Sequence, residues 1–195
     1  MIAKTYLAET RATMERLARM AEEDGIFEKM AELLCSTLAA GGKILFAGNG
    51  GSAADCQHLA GELVVRFRKD RRALPGIALT VDTSVLTACL NDFGPEPVFA
   101  RQIEALGRQG DVLWVFSTSG TSANILAACA AARDMGMPVL GFTGGKGGVL
   151  AEMSDLCFIA PSPVTSHIQE CHIAVGHMLC VEIEERLFGD NAGKA

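Results

Sequence analysis

Residues 43–52, KILFAGNGGS, contain the pattern from which the fold class can be predicted. A short apolar stretch, Lys43–Ala47, is followed by a glycine-rich turn and by a helical pattern from about Ser52 to Phe67. A buried strand that leads through glycines into a helix is the repeating unit of parallel α/β sheets. The stretch therefore predicts an α/β fold.

The same alternation continues towards the C-terminus. Four further apolar stretches have the length and continuity of strands buried on both faces: Gly76–Thr80, Asp111–Ser117, Pro138–Thr143 and Leu156–Ala160. Helical or glycine-rich segments separate them, and Thr165–Phe188 predicts a long final helix. Because crossovers between parallel strands are right-handed, we expect a doubly wound, five-stranded parallel sheet flanked by helices.

The residues before this sheet are predicted to be helical. Apolar residues recur at helical spacing in residues 3–23 and 26–40, and Gly41 and Gly42 end the second segment. A chain of 195 residues has the size of one domain. We therefore predict one domain over residues 1–195, in which residues 1–41 form a helical extension that packs on the domain and at a subunit interface.

Composition argues against several classes of protein. With 49% hydrophobic and 21% charged residues, the chain can bury a core. Its longest apolar run, Ile125–Ala132, is much shorter than the ~20 residues of a membrane span. A net charge of −6 opposes nucleic-acid binding, the charged N-terminus is unlike a secretory signal, and the seven cysteines lack disulfide or zinc-knuckle spacing. We expect a cytoplasmic protein with no nucleic-acid or membrane partner.

One short basic cluster lies at the end of the helix predicted from Ser52 to Phe67 and in the residues that follow it. Its members are Arg66, Arg68, Lys69, Arg71 and Arg72. Cationic side chains suit the C-terminal end of a helix, so a solvated helix end and loop is the simpler interpretation. The alternative is a guide for anionic substrates.

Two loops at the predicted carboxyl ends of strands suit an anion. The first, Gly48–Ser52, offers backbone N–H groups without Cβ obstruction at the start of a helix. The second, Ser117–Ser122, supplies five hydroxyl groups where an ordinary helix cap needs one. Asn124 lies just inside the following helix. Together the loops predict a site for a phosphate monoester.

The glycine spacing also permits a dinucleotide site, but its context does not fit. Gly48-x-Gly50-x-x-Ala53 matches the fingerprint, whereas the acidic residue expected ~20 positions later is missing. Asp82, in the plausible place, is 34 positions from Gly48. The second loop lacks the lysine of a nucleotide-binding P-loop. A nicotinamide, flavin or nucleoside triphosphate ligand is therefore disfavoured.

Polar residues on two helices are candidates for the chemistry. His58 and Glu62, four apart, share a helix face and could chelate an ion, act as an acid/base pair, or form a surface ion pair. On the final helix, spacing favours Glu170 as the partner of His177, because residues seven apart share a face.

Two neighbours on the same helix have weaker cases from spacing alone. Gln169 would be turned away from His177 by ~80° on a straight helix. His172 is expected to be a hydrogen-bonded core or interface histidine.

Four segments carry a resemblance to a known family: AGNGGSAADCQHLAGEL (47–63), LNDFG (90–94), STSGTSANI (117–125) and IQECHIAVGH (168–177). In this order and spacing, over nearly the whole chain, the sequence resembles the sugar isomerase (SIS) family and, within it, the bacterial phosphoheptose isomerases. The resemblance implies the SIS fold and the conversion of D-sedoheptulose 7-phosphate to D-glycero-D-manno-heptose 7-phosphate through an enediol, in nucleotide-activated heptose biosynthesis.

The resemblance also implies a role for individual residues. Glu62 would be the base and His177 the acid. The ligands of one zinc ion per subunit would be His58, Glu62, Gln169 and His177. The substrate-binding residues would be Asn49, Gly50, Gly51, Ser52, Asn91, Asp92, Ser117, Thr118, Ser119, Ser122 and Gln169.

The implied ligand Gln169 conflicts with the helical spacing. It could lie at an irregular helix start, lean towards His177, or belong to the site of a neighbouring subunit. The resemblance implies a homotetramer with active sites at subunit interfaces, which favours the last of these. Glu170 would then be structural or would support a metal ligand.

A second function remains open within the same family. One relative is a non-catalytic sugar-phosphate-binding protein that regulates replication initiation through a protein partner, and its catalytic glutamate and histidine are replaced. Because Glu62 and His177 are both retained here, the enzyme is the favoured interpretation.

Overall fold

The computed structural model describes residues 1–23 and 25–189 of the chain. Helices in these residues are α1 (Ile2–Glu23), α2 (Ile26–Ala39), α3 (Gly51–Val64), α4 (Thr83–Phe93), α5 (Ala100–Leu106), α6 (Ala123–Asp134), α7 (Gly148–Met153) and α8 (Thr165–Phe188), with a 3-10 turn at Glu96–Val98. Strands are β1 (Ile44–Gly48), β2 (Gly76–Ala78), β3 (Val112–Phe116), β4 (Val139–Gly144) and β5 (Leu156–Ala160). The predicted domain also includes residues 24 and 190–195, which lie outside the described residues.

The strands form one parallel sheet in the order β2-β1-β3-β4-β5. The chain runs from β1 to β2 on one side and then places β3 on the other side of β1, so the winding direction reverses between β1 and β3. Gly48 pairs with Phe116 at the end of this ladder. The loops after β1 and β3 therefore begin side by side, at the edge where doubly wound folds bind ligands. The predicted fold class is confirmed.

Side chains of each strand alternate between two cores, one on each face of the sheet. Phe46 and Trp114 point into the core covered by α2, α3 and α8. Leu45 and Val115 point into the core covered by α4, α5, α6 and α7. Because helices cover both faces, β1 and β3 are buried along their whole length, which explains their continuous apolar sequences.

Strand bounds agree with the prediction to within two residues, but the helix after β1 ends early. We predicted a helix to Phe67, whereas α3 ends at Val64. The reason is that the backbone N–H groups of residues 67–69 donate to the Glu184 carboxylate instead of to helical carbonyls. The expectation of a solvated basic cluster is also wrong for Arg71, whose side chain is 2% exposed.

The N-terminal helices lie on α8 and the sheet edge. Residues of α2 such as Met30 and Leu34 are fully buried in the core that α8 also fills. In contrast, α1 buries only Thr13 and Leu17 of its 22 residues. No helix in the described residues is long and apolar enough to cross a membrane.

His172 on α8 is a core residue, as expected. It is fully buried, and its ring lies 5.8, 5.6 and 6.1 Å from the rings of Phe116, Phe142 and Phe158. Its Nε2 lies 3.0 Å from the carbonyl oxygen of Thr143, which identifies Nε2 as the protonated nitrogen. Nδ1 has no partner in the described residues. Burial lowers the pKa of His172 from 6.5 to about 4, because a second N–H would have no acceptor.

We expect His172 to make the fold sensitive to mild acid. Between its folded pKa of about 4 and its unfolded value of 6.5, the unfolded chain binds a proton that the folded chain does not. The stability due to neutral His172 is therefore complete above pH 6.5 and is lost as the pH falls towards 4. In urea unfolding between pH 7 and pH 5, the native chain should lose about 2 kcal/mol more stability than His172→Leu does. An equal pH dependence in both proteins would contradict this assignment.

Candidate active site

The two predicted anion loops are joined by a reciprocal pair of hydrogen bonds. The Asn49 amide donates to Asn124 Oδ1 at 2.9 Å, and the Asn124 amide donates to Asn49 Oδ1 at 2.8 Å. This pair connects the loop after β1 with the first turn of α6. The two loops consequently form one continuous polar surface, and Asn124 belongs to it.

Both helices that follow these loops begin with backbone N–H groups that no capping side chain binds within residues 25–189. Gly50 precedes α3 and has φ of 56°, a left-handed conformation that favours glycine. Ser122 precedes α6, but its hydroxyl lies 3.1 Å from the Ser117 hydroxyl instead of capping the helix. The N-terminal end of a helix attracts anions through its N–H groups and its dipole. The surplus of hydroxyls is therefore not explained by ordinary capping.

The remaining loop residues differ in burial. Ser52 and Ser117 are buried, Thr118 is half-buried and Ser119 is exposed. The Ser119 hydroxyl accepts hydrogen bonds from the backbone N–H and the hydroxyl of Thr121, at 3.3 and 3.1 Å. The second loop thus presents hydroxyls both in its interior and towards solvent.

Gln169 lies against the first loop of its own chain. A Cβ atom on Gly51 would be 2.6 Å from Gln169 Nε2, so glycine at the start of α3 leaves room for this amide. The amide therefore reaches the glycine loop within one chain. The contact places the Gln169 amide beside the first loop, and the proposed ligation by Gln169 stays a prediction.

A cluster of three donor atoms lies between α3 and α8. His58 Nε2 is 2.7 Å from His177 Nε2 and 3.1 Å from Glu62 Oε1. In the described residues, these three side chains form a group of potential metal ligands, with one ligand atom from each within 4.8 Å of the others. Two imidazole nitrogens and a carboxylate oxygen form a donor set that zinc prefers, so these residues fit the ion.

The approach of α3 and α8 depends on a glycine. A Cβ on Gly176 would be 2.8 Å from both Cδ atoms of Leu59. Leu59 follows His58, and Gly176 precedes His177. The missing side chain therefore lets the two helices come close enough for the histidines to meet.

Burial and neighbouring charges affect the titration of this cluster. Burial chiefly lowers the pKa of His177, with further lowering from His58 and Arg68 and an opposing effect of Glu62. The His177 ring also stacks on Phe67, with 5.1 Å between centroids and 13° between planes. The lowered pKa favours the neutral imidazole, which is the form that binds a metal.

Asp55 is a group near the cluster that sequence reasoning missed. Burial raises its pKa to about 6, and its Oδ2 has no partner in the described residues. Asp55 precedes Glu62 by seven residues, so the two share a face of α3. The same spacing argument that was applied to His58 and Glu62 could have identified it.

Two predictions about neighbouring residues have clear outcomes. The expectation from spacing that Glu170 partners His177 is wrong, because Glu170 Oε1 accepts a hydrogen bond of 2.8 Å from the Tyr6 hydroxyl on α1. His172 is a core histidine, as described above. Glu170 therefore connects α8 to the N-terminal extension.

Asn91 and Asp92 bind each other and not the two loops in the described residues. They are in the last turn of α4, where the Asn91 amide donates to Asp92 Oδ1 at 2.8 Å. No hydrogen bond or ion pair within residues 25–189 joins either residue to the loops, and both lie about 13 Å along α4 from its start at the carboxyl edge of the sheet. Asp92 lines a mostly apolar groove of about 570 Å³ with Val85 and Phe93.

Comparison with known proteins gives a consistent result. The model of the SIS domain family matches residues 5–144. The chain is 57% identical to a phosphoheptose isomerase of Paramagnetospirillum magneticum over 81% of its own length and 82% of that protein. It is 49% identical to one of Burkholderia pseudomallei over 95% and 96%. The structure of phosphoheptose isomerase GmhA from Neisseria gonorrhoeae superposes with a TM-score of 0.88 at 41% identity, covering 94% of this chain and 97% of that one.

We expect the donor cluster to bind zinc, and His58→Ala to weaken that binding by more than about 100-fold. Removing a residue that only supports a ligand typically costs 10–100-fold, and His58 would be a ligand itself. Competition with a chelator measures the affinity. Gln57→Ala is the control, since Gln57 is the preceding residue of α3 and donates to Thr80 outside the cluster. Equal zinc affinity of both variants would reject the ligand set.

Proposed function

Because the chain belongs to the SIS domain family and is similar over most of its length to phosphoheptose isomerases, we propose that it converts D-sedoheptulose 7-phosphate into D-glycero-D-manno-heptose 7-phosphate. The observation that carries the proposal is that His58 Nε2 lies close to both Glu62 Oε1 and His177 Nε2. His58 and Glu62 belong to α3, which begins in the first anion loop. The product would enter the synthesis of nucleotide-activated heptose.

The substrate phosphate would bind at the two joined loops. The N–H groups that begin α3 and α6, together with the hydroxyls of Ser52, Ser117, Thr118, Ser119 and Ser122, supply the donors for a dianion. Asn49, Gly50 and Gly51 form the backbone of the first loop. His58 lies about 10 Å along α3 from Gly51. With the C7 phosphate bound at the loops, C1 and C2 at the other end of the sugar would therefore lie near the donor cluster.

Isomerisation requires a base for carbon and an acid for oxygen. Glu62 would remove the C1 proton, and the C1–H electron pair would form the double bond of the enediol as the C2 carbonyl oxygen receives a proton from His177. His177 would then take the proton of the C1 hydroxyl, the C1 carbonyl would form, and Glu62 would return its proton to C2. Both groups end in their initial states, so no redox cofactor is consumed.

We also propose one zinc ion per subunit, held by His58, Glu62 and His177, with Gln169 as the fourth ligand. A zinc ion would polarise the sugar carbonyl and stabilise negative charge on oxygen. His177 Nε2 faces the cluster, and a nitrogen that binds a metal carries no proton, so with the ion bound the acid role would fall to the other ring nitrogen, Nδ1. Glu62 has two carboxylate oxygens and is free of this conflict.

Association into a homotetramer would complete the site. Only Cys89 of α4 is buried, and Phe93, Val85 and Leu90 on this helix are 58%, 39% and 50% exposed. The other sparsely buried helix, α1, belongs to the N-terminal extension, for which we propose the same interfacial role. Asn91 and Asp92, which make no hydrogen bond to the loops of their own chain in the described residues, would then line the sugar site of a neighbouring subunit.

A cytoplasmic location accords with the cysteines. All seven lie in the described residues as free thiols, and six of them are buried. Unpaired buried thiols are typical of proteins in reducing compartments.

The catalytic role is favoured over that of a protein-binding regulator. A regulator that only binds a sugar phosphate needs the two loops but has no use for a carboxylate and an imidazole in contact with a third donor. Glu62 and His177 are present and converge here. The observation therefore favours chemistry over binding alone.

We expect the native chain to form the aldose when it is incubated with sedoheptulose 7-phosphate and followed by NMR. Glu62→Gln should lower kcat by at least about 1000-fold, since an amide cannot accept the carbon proton. Its affinity for the sugar phosphate, measured by calorimetry, should stay within about threefold because the phosphate loops are unchanged.

The control is Glu152→Gln on α7, an exposed carboxylate outside the cluster. Aldose formation at the native rate by Glu62→Gln would remove Glu62 from the role of base. Tight binding without turnover by the native chain would favour the regulator.

We expect light scattering coupled to gel filtration to give four times the mass of one chain. Val85→Glu places a charge on the exposed face of α4 and should shift the protein to smaller species without lowering its helix content by circular dichroism. A native protein that elutes as a monomer at every concentration would contradict the interface.

A further inference from the structure

A buried ion pair lies outside the donor cluster but connects its two helices. Arg71 Nε is 3.1 Å from Glu184 Oε1, and both side chains are 2% exposed. Arg71 belongs to the segment after α3, and Glu184 belongs to α8. Buried ion pairs seldom stabilise a fold more than apolar residues of the same volume would. Stability alone therefore does not account for this pair.

The Arg71 side of the pair fixes the end of α3. Its Nη2 donates to the backbone oxygen of Glu62 at 2.7 Å, and its Nη1 donates to that of Leu63, also at 2.7 Å. Carbonyls in the last turn of a helix lack helical partners. The guanidinium therefore binds the backbone of the residue that carries the proposed base.

The Glu184 side fixes the loop that follows. Its carboxylate accepts hydrogen bonds from the backbone N–H groups of Phe67, Arg68 and Lys69 at 2.9, 2.8 and 2.9 Å. Burial raises the pKa of Glu184, but these bonds and the Arg71 charge together outweigh burial and hold the pKa below its usual value. The carboxylate therefore stays charged and holds the loop in one conformation.

The ordered loop places an aromatic ring against the proposed acid. The Phe67 ring lies nearly parallel to the His177 imidazole, at 13° and 5.1 Å. Glu184 follows His177 by seven residues, so both lie on one face of α8, about 10 Å apart. One face of α8 thus carries both the His177 imidazole and the Glu184 carboxylate. The carboxylate binds the backbone of Phe67, whose ring stacks on that imidazole.

We propose that Arg71 and Glu184 are positioning residues, which set the backbone of Glu62 and, through Phe67, the ring plane of His177. The inference rests on the proposed function, because it takes these two groups as base and acid. Proton transfer tolerates little displacement, and an error of 1 Å can cost about 100-fold in rate. A charged pair that binds six backbone groups of one loop and helix end supplies that precision.

The first test compares two neighbouring glutamates of α8. Glu184→Gln keeps the size of the side chain but places an NH2 group against backbone donors, and should lower kcat about 10–100-fold. KM should stay within about threefold, since Glu184 contacts neither phosphate loop. Glu185→Gln is the matched control: Glu185 is 58% exposed and pairs with Lys69 of the same loop at 2.9 Å. Its kcat should equal that of the native chain.

The second test changes the ring and leaves the ion pair intact. Phe67→Leu should lower kcat like Glu184→Gln, whereas Phe67→Tyr keeps the parallel plane and should restore kcat to within about threefold of the native value. The two Phe67 variants still test the proposal if Glu184→Gln fails to fold.

A third measurement needs no turnover. In the metal-free protein, the parallel Phe67 ring should shift the ring-proton NMR signals of His177 upfield. The shift should be lost in Phe67→Leu and Glu184→Gln and retained in Phe67→Tyr and Glu185→Gln. A native chain that leaves sedoheptulose 7-phosphate unchanged would refute the proposed function, and the spectrum would still decide the positioning.

Two results would overturn the proposal. One is native kcat together with an unchanged His177 signal in both Phe67→Leu and Glu184→Gln. The other is an equal loss in Glu185→Gln, because that would indicate general destabilisation of the loop instead of a specific effect of the buried pair.

Discussion

The parallel pairing of β1 with β3 is the constraint on which the site depends. Because the chain reverses its winding direction between these strands, both release their loops at the same edge, with Gly48 and Phe116 as the last pair. No connection crosses this point, so the loops are free to bind a ligand and each other. The side-chain amides of Asn49 and Asn124 join the two loops by a reciprocal pair of hydrogen bonds. The helix that leaves the first loop then carries His58 and Glu62 towards α8.

Hydrophobic periodicity predicts the structural features that depend on local sequence, which are the strands and the loops between them. The strands are apolar on both faces, and the glycine and serine loops interrupt them, so the sheet and its ligand edge follow from the sequence. The end of α3 does not, because it depends on a carboxylate more than a hundred residues away. The orientation of Glu170 depends in the same way on Tyr6 of α1. Helical spacing gives the angle between two side chains but no information about the helix that packs beside them.

Resemblance and geometry contribute different parts of the site. The resemblance implies Gln169 as a ligand against the helical spacing, and the close approach of its amide to Gly51 shows how its side chain reaches the loop. Neither approach indicates Phe67, whose role depends on the plane of a ring. Sequence reasoning treats such a residue as one more apolar side chain in a basic segment. Only coordinates relate it to His177.

The glycine at position 176 has a consequence for which ion the proposed metal site would prefer. The spacing of α3 and α8 sets the distance between the two imidazole nitrogens, and Leu59 already touches the place where a methyl group would be. A larger residue there would push the helices apart and enlarge the coordination cage. Ions with longer bonds to nitrogen and oxygen, such as Cd²⁺, would then gain relative to Zn²⁺. Backbone packing at one residue would thus contribute to the selectivity of the proposed metal site without contacting the ion.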